Sequence, residues 1–155
     1  MKQKILLSIL VFSIIFNGYL LYSNNHKQTI IDEVISYKLN AVLADSHGLK
    51  MAIDSHLESE TENGQLQERL QRLIFTTQSA ENVLRLSNNS YRLRVALKQY
   101  WFNLDTITLN EQNLLLLIEV IDTQFCDYKI EAYNSETIGR MTNSFEYINE
   151  EIIRK

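Results

Sequence analysis

Apolar and polar positions along this chain fall into three helix-period stretches behind one continuous apolar run. In the first stretch Ile31, Ile35, Val42, Leu49 and Ile53 share a helix face. In the second, Leu66, Leu70, Leu73, Thr77, Ala80 and Leu84 alternate steps of four and three, the spacing of a heptad seam. The third carries Leu114, Ile118, Ile121, Phe125, Tyr128 and Ala132, and resumes after a phase shift with Ile138, Met141, Phe145, Ile148 and Ile152. A stutter or short break near Asn134 accounts for the shift. Polar punctuation separates the stretches: Ser59 to Gly64 is one loop, and 104–110 a second, where Thr108 and Glu111 have capping-box spacing.

The pattern predicts an all-α protein, an N-terminal transmembrane helix followed by an antiparallel three-helix bundle or coiled coil. The helical runs are expected at 24–57, 65–104 and 109–153, each spanning roughly 50 to 65 Å at about 1.5 Å per residue. One feature strains this scheme. In the middle run a face from Leu66 to Tyr91, Val95 and Phe102 is apolar, and so is the nearly opposite face of Leu93, Leu97, Tyr100 and Leu104. Such a helix needs two sets of neighbours. A break at Asn88-Asn89-Ser90 would supply the second by making the bundle four-helical; a partner subunit or the membrane would also do so.

The apolar run covers 5–22 and follows Lys2 and Lys4. Eighteen residues of helix measure about 27 Å, close to the hydrocarbon thickness of a bilayer. No Ala-x-Ala cleavage pattern closes the run, and the one cysteine, Cys126, is far from it, so neither a cleaved signal nor a lipoprotein is the leading reading. The expectation is an uncleaved signal-anchor: 1–4 as a cytoplasmic tail, 5–23 in the cell membrane as a single pass, and 24–155 as a helical domain outside the cytoplasm, periplasmic or extracellular. A cleaved signal peptide is the competing reading.

Composition sharpens this. The 155 residues contain no proline and only four glycines, as long helices require. Without Lys2 and Lys4 the exported part has 13 basic and 19 acidic residues, a charge of -6, which disfavours nucleic acid as a partner. Charge is also segregated: in the middle run Arg69, Arg72, Arg85, Arg92, Arg94 and Lys98 stand against Glu68 and Glu81, with acidic runs on either side. Helix pairing is the simplest use of that arrangement. Cys126 is expected to be a buried thiol, with cross-linking of a dimer as its other use.

Candidate chemistry is thin. Asp45-Ser46-His47 and Asp54-Ser55-His56 have the residue types of a nucleophilic triad, but consecutive side chains on a helix splay by about 100° and cannot line up as nucleophile, base and orienter. His47, Met51, Asp54 and Glu58, spaced four, three and four apart, share a stripe with imidazole, thioether and carboxylate groups, a weak pattern for a divalent or copper ion. His56 falls near the apolar seam and His26 near the membrane surface. Gly-rich phosphate loops, Gly-x-Ser-x-Gly and Cys-x-x-Cys are missing, so no cofactor and no enzymatic activity are expected. The 40 residues of the middle run bring its end back to the level of the anchor, so Tyr100, Trp101 and Phe102 are expected either to meet the membrane interface, with the basic stripe Arg92, Arg94 and Lys98 one to two turns before them, or to pack inside the lower layer of the bundle.

Two function classes follow. The first is a membrane-anchored cell-envelope module for protein–protein interaction, of adaptor, inhibitor or immunity, or exclusion type, engaging a protein partner or itself. The second is an extracytoplasmic ligand-binding sensory bundle that reports to a separate membrane protein. A polar cavity within the bundle would mark the sensor; a dry core with an exposed apolar stripe would mark the interaction module.

Overall fold

A computed structural model describes residues 2–59, 63–87, 90–125 and 128–154, with side chains from residue 10 onward except at 59 and 63. It is all-α. The described residues form five helices: α1 (Lys2–Ser59), α2 (Asn63–Leu84), α3 (Tyr91–Thr106), α4 (Glu111–Phe125) and α5 (Ser135–Ile153).

The three expected runs are therefore five. The middle one is two helices, α2 ending at Leu84 and α3 starting at Tyr91, which removes the puzzle of its two apolar faces: Leu70, Leu73, Ala80 and Leu84 belong to α2, and Leu93, Leu97, Tyr100 and Leu104 to α3, each set buried on its own helix. Ser90 holds the corner. Its hydroxyl faces the carbonyls of Leu84 at 2.8 Å and Ser87 at 3.0 Å, so it serves the open C-terminal end of α2 while its own carbonyl accepts from Arg94 N. The third run breaks too. Asn134, in extended backbone, accepts from Thr137 N at 2.9 Å and starts α5. At the 107–110 connection the cap is Asn110, accepting from Asn113 N at 2.9 Å, two residues beyond the Thr108 that the sequence favours.

Contacts close a ring in the order α1, α2, α3, α5, α4 and back to α1. Helices successive in the chain alternate in direction, so α3 and α5, neighbours in the ring, run parallel. Asp45 of α1 meets Arg72 and Thr76 of α2, and His47 and Lys50 meet Phe125 and Asp122 of α4, so both flanking helices run antiparallel to α1. The ring is filled by one hydrophobic cluster. Near its middle Phe145 lies 5.1 Å from the Tyr100 ring and 5.3 Å from Phe125, a three-aromatic contact that joins α3, α4 and α5.

Buried polar groups fix the register of the apolar cluster. Asn149 Nδ2 donates to Ala96 O at 2.9 Å, and its Oδ1 accepts from Asn103 Nδ2 at 3.1 Å, tying α5 to α3. Asn40 of α1 grips a peptide 90 residues away: its amide donates to Ile130 O at 2.8 Å and accepts from Ile130 N at 2.9 Å. That matched pair satisfies backbone which no helix provides for in the α4–α5 connection. Arg140 lies 3.9 Å above the Tyr128 ring and covers the same segment. Cys126, expected as a buried thiol, lies outside the described residues.

Only part of α1 belongs to the ring. Its core positions begin at the half-buried Ile31 and at Ile35, 1% exposed. From Leu10 to Lys27 the helix is exposed nearly all round, about 26 Å of it beyond the ring. Among the described residues no helix is long and apolar enough to cross a membrane. Described side chains of the apolar run begin at Leu10, and 10–22 measures about 20 Å.

Candidate interaction surface

The expected metal stripe does not converge. His47 Nε2 lies 3.1 Å from Phe125 O at the end of α4, Met51 is 71% exposed, Asp54 is half-buried and Glu58 points to solvent. No group of three or more His, Cys, Asp or Glu placed to hold a metal occurs among the described residues. The first triad-like sequence is dispersed as well. Asp45 accepts from Arg72 at 2.8 Å and Thr76 at 2.6 Å, buried Ser46 donates to Val42 O, and His47 turns to α4. His56 is half-buried; His26 is exposed and stacks on Tyr22 at 6.4 Å.

The aromatic cluster is also placed differently from the expectation, because that expectation rested on an unbroken 65–104 helix. After the corner between α2 and α3 the chain climbs again. Tyr100 sits at the level of Ser46, which is 24 residues beyond Tyr22 on α1 and about 36 Å further along its axis. Tyr100 is wholly buried, Trp101 half-buried and Phe102 56% exposed, so the three do not present a common belt. Burial of the Tyr100 hydroxyl pushes its pKa up to about 12, with the neighbouring Ser46 acting the other way. Ser46 donates its own proton to Val42 O, and the Tyr100 hydroxyl, with Trp101 Nε1 and the Tyr133 hydroxyl, is a buried polar atom without a hydrogen-bond partner of regular geometry among the described residues.

The basic stripe separates into individual roles. Arg92 holds both oxygens of Glu146 on α5, at 3.0 and 2.9 Å, Arg94 lies 5.4 Å from the Tyr91 ring centre, and Lys98 is exposed. With Asp45–Arg72, the Arg92–Glu146 pair gives the segregated charge a use between neighbouring helices, while Lys50–Asp122 at 2.6 Å runs in the opposite sense.

What the described surface does offer is α1. Below the ring it exposes Leu10, Val11, Phe12, Ile14, Ile15, Phe16, Leu20 and Leu21, each 44% or more accessible. Alongside the ring its outer side carries a second row, Ile30, Val34, Tyr37, Ala41 and Ala44, spaced four, three, four and three. Ile30, Val34 and Tyr37 are 47%, 41% and 71% exposed. Sequence reasoning missed that row because it lies beside a stronger inward seam, and two rows on one helix blur each other's periodicity. The described cavities are open grooves at the surface. One of about 510 Å³ lies at the base between Gln28, Asp32, Ser87 and Tyr133, and one of about 420 Å³ between Tyr91, Arg92, Ile138 and Thr142.

No protein-family model, no curated protein and no solved structure matches this chain.

Proposed function

We propose that the chain is a membrane-anchored, non-catalytic module of the cell envelope, which displays a helical ring outside the cytoplasm for protein–protein contact. The observation that carries this reading is the lone stretch of α1. Large apolar side chains from Leu10 to Leu21 stand free of the ring on a helix with no protein neighbour there. Free helix surface of that kind is stable in lipid or against another protein, not in water. The sequence run of 5–22 behind Lys2 and Lys4 supports lipid, with the basic end in the cytoplasm.

The interior supports interaction over sensing. Core positions of all five helices form one apolar cluster, and the described cavities are open grooves at the surface, an arrangement suited to contact through the surface more than to capture of a ligand between helices. Protease added to spheroplasts carrying a C-terminally tagged chain tests the reading. Loss of the tag, together with retention of the full-length form in membranes, is the expected result. A protected tag, or recovery of a soluble form beginning near Asn24, overturns it.

A further inference from the structure

We infer that the outer face of α1 from Ile30 to Ala44 seats the α1 of a second copy of this chain, parallel and in register. The inference rests on the anchor proposed above for its parallel sense and deepens that reading by naming the surface and the occupant.

Four observations lead to it. First, Ile30, Val34, Tyr37, Ala41 and Ala44 keep the four-three spacing over two heptads, the pattern of a two-stranded seam, and all are exposed except the half-buried Ala41. α2 approaches α1 on the side of Asp45 and α4 on the side of His47 and Lys50, which leaves this sector open between them. Second, the row itself is uncharged, and Ala41 and Ala44 let a second backbone come close. Its upper limit is Gly48, where the Arg69 guanidinium would lie 3.6 Å from an added Cβ and closes the row.

Third, the flanks are complementary in the parallel sense. With Ile30, Tyr37 and Ala44 at d positions and Val34 and Ala41 at a positions, Glu33 falls at g and Lys38 at the e position of the following heptad, five residues on. That is the pairing which crosses a parallel two-stranded coiled coil, once on each side of the axis. Neither side chain has an ion pair within the chain among the described residues. Fourth, the same helix continues downward through Lys27 and Ser23 into the apolar run, where Leu20 and Phe16 keep the spacing. Copies held by that run in one bilayer present their rows side by side, pointing the same way and at the same height.

Cross-linking of the full-length chain in its native membrane, in a Cys126→Ser background, tests the geometry. Ile30→Cys and Ala44→Cys are each expected to give same-residue dimers on mild oxidation, and Glu68→Cys, exposed on α2, none. Dimers that form only when the Ile30→Cys and Ala44→Cys variants are mixed, joining the lower position of one copy to the upper position of another, mean antiparallel strands and overturn the inference. So does cross-linking only to a different protein, or none at all.

Sedimentation of the full chain in detergent micelles tests the chemistry. Ala44→Glu is expected to weaken the dimer at least tenfold while leaving helix content, read by circular dichroism at dilutions where both proteins are monomeric, unchanged, as Ala44 is exposed. Glu33→Lys is expected to weaken it, and Glu33→Lys with Lys38→Glu to restore it. A monomeric wild type, or a dimer indifferent to these changes, overturns the proposal. Flotation with phosphatidylglycerol-containing vesicles keeps the two readings apart. A chain that floats but stays monomeric loses the dimer and keeps the anchor; one that does not float but cross-links at both heights loses the anchor and keeps the dimer.

Discussion

Tyr100→Phe should stabilise the protein, and the gain should grow as the solution becomes alkaline. The tyrosine ring is fully buried against Phe145, while its hydroxyl has no hydrogen-bond partner among the described residues. Leaving such a group dry costs about 1–3 kcal/mol. Phenylalanine keeps the ring contacts and removes the cost, leaving a gap the size of one oxygen, so the net gain near pH 8 is about 1 kcal/mol, roughly 3–5 °C in a domain of this size. Ionisation adds a second, separable effect. Burial holds the folded-state pKa at about 12 against an ordinary 10.0. Between those values the unfolded chain releases the proton and the folded one keeps it, so the stability contributed by neutral Tyr100 is complete below pH 10 and falls as pH rises towards 12. Two pH units at about 1.4 kcal/mol each make the loss about 3 kcal/mol. Urea unfolding of the full chain in micelles, followed by circular dichroism from pH 8 to pH 12, reads both effects as the difference between wild type and Y100F. A variant less stable than wild type at pH 8 would show that Ser46 is a real partner for the hydroxyl. A difference that stays constant from pH 9.5 to 12 would refute the buried-phenol argument.

Asn149→Ala removes the bond to Ala96 O and strands Asn103, so urea midpoints should report a loss of about 2–3 kcal/mol. Asn40→Ala frees both polar groups of the Ile130 peptide and should cost about 1–3 kcal/mol, with hydrogen exchange of the Ile130 amide rising far more than that of α2 amides. Arg92→Ala, by contrast, breaks a pair whose side chains are 72% and 40% exposed and should change the thermal midpoint by less than about 2 °C, an effect that vanishes in high salt.

Inward-facing positions were legible in the sequence because burial imposes a period. Each residue of the middle seam from Leu66 to Leu84 is buried, and so are Met141, Phe145 and Ile148 after the phase shift. Corners were harder to see. Without proline or glycine to mark them, the breaks after Leu84 and Phe125 depend on Ser90 serving α2 carbonyls and on Asn40 serving Ile130, contacts six and 90 residues apart in sequence. The height of everything beyond Leu84 depended on whether the break that Asn88-Asn89-Ser90 offered is taken, and the unbroken alternative is why Tyr100 to Phe102 were expected at the membrane level and lie instead at the level of Ser46. The polar stripe of His47, Met51, Asp54 and Glu58 failed for another reason: helical spacing places side chains on one face without making them converge, and a backbone carbonyl from α4 occupies the imidazole.

The uninterrupted α1 also sets the mechanics of the molecule. It is a single lever of 58 residues without a proline hinge, and the ring grips only its upper half. If the lower part of α1 is the anchor proposed above, a lean of about 20°, the average for transmembrane helices, acts on an arm of about 36 Å from Tyr22 to the level of Ser46 and gives a sideways sweep of about 12 Å with a drop of only about 2 Å. Under that proposal the ring would sweep a thin disc at nearly constant height above the bilayer.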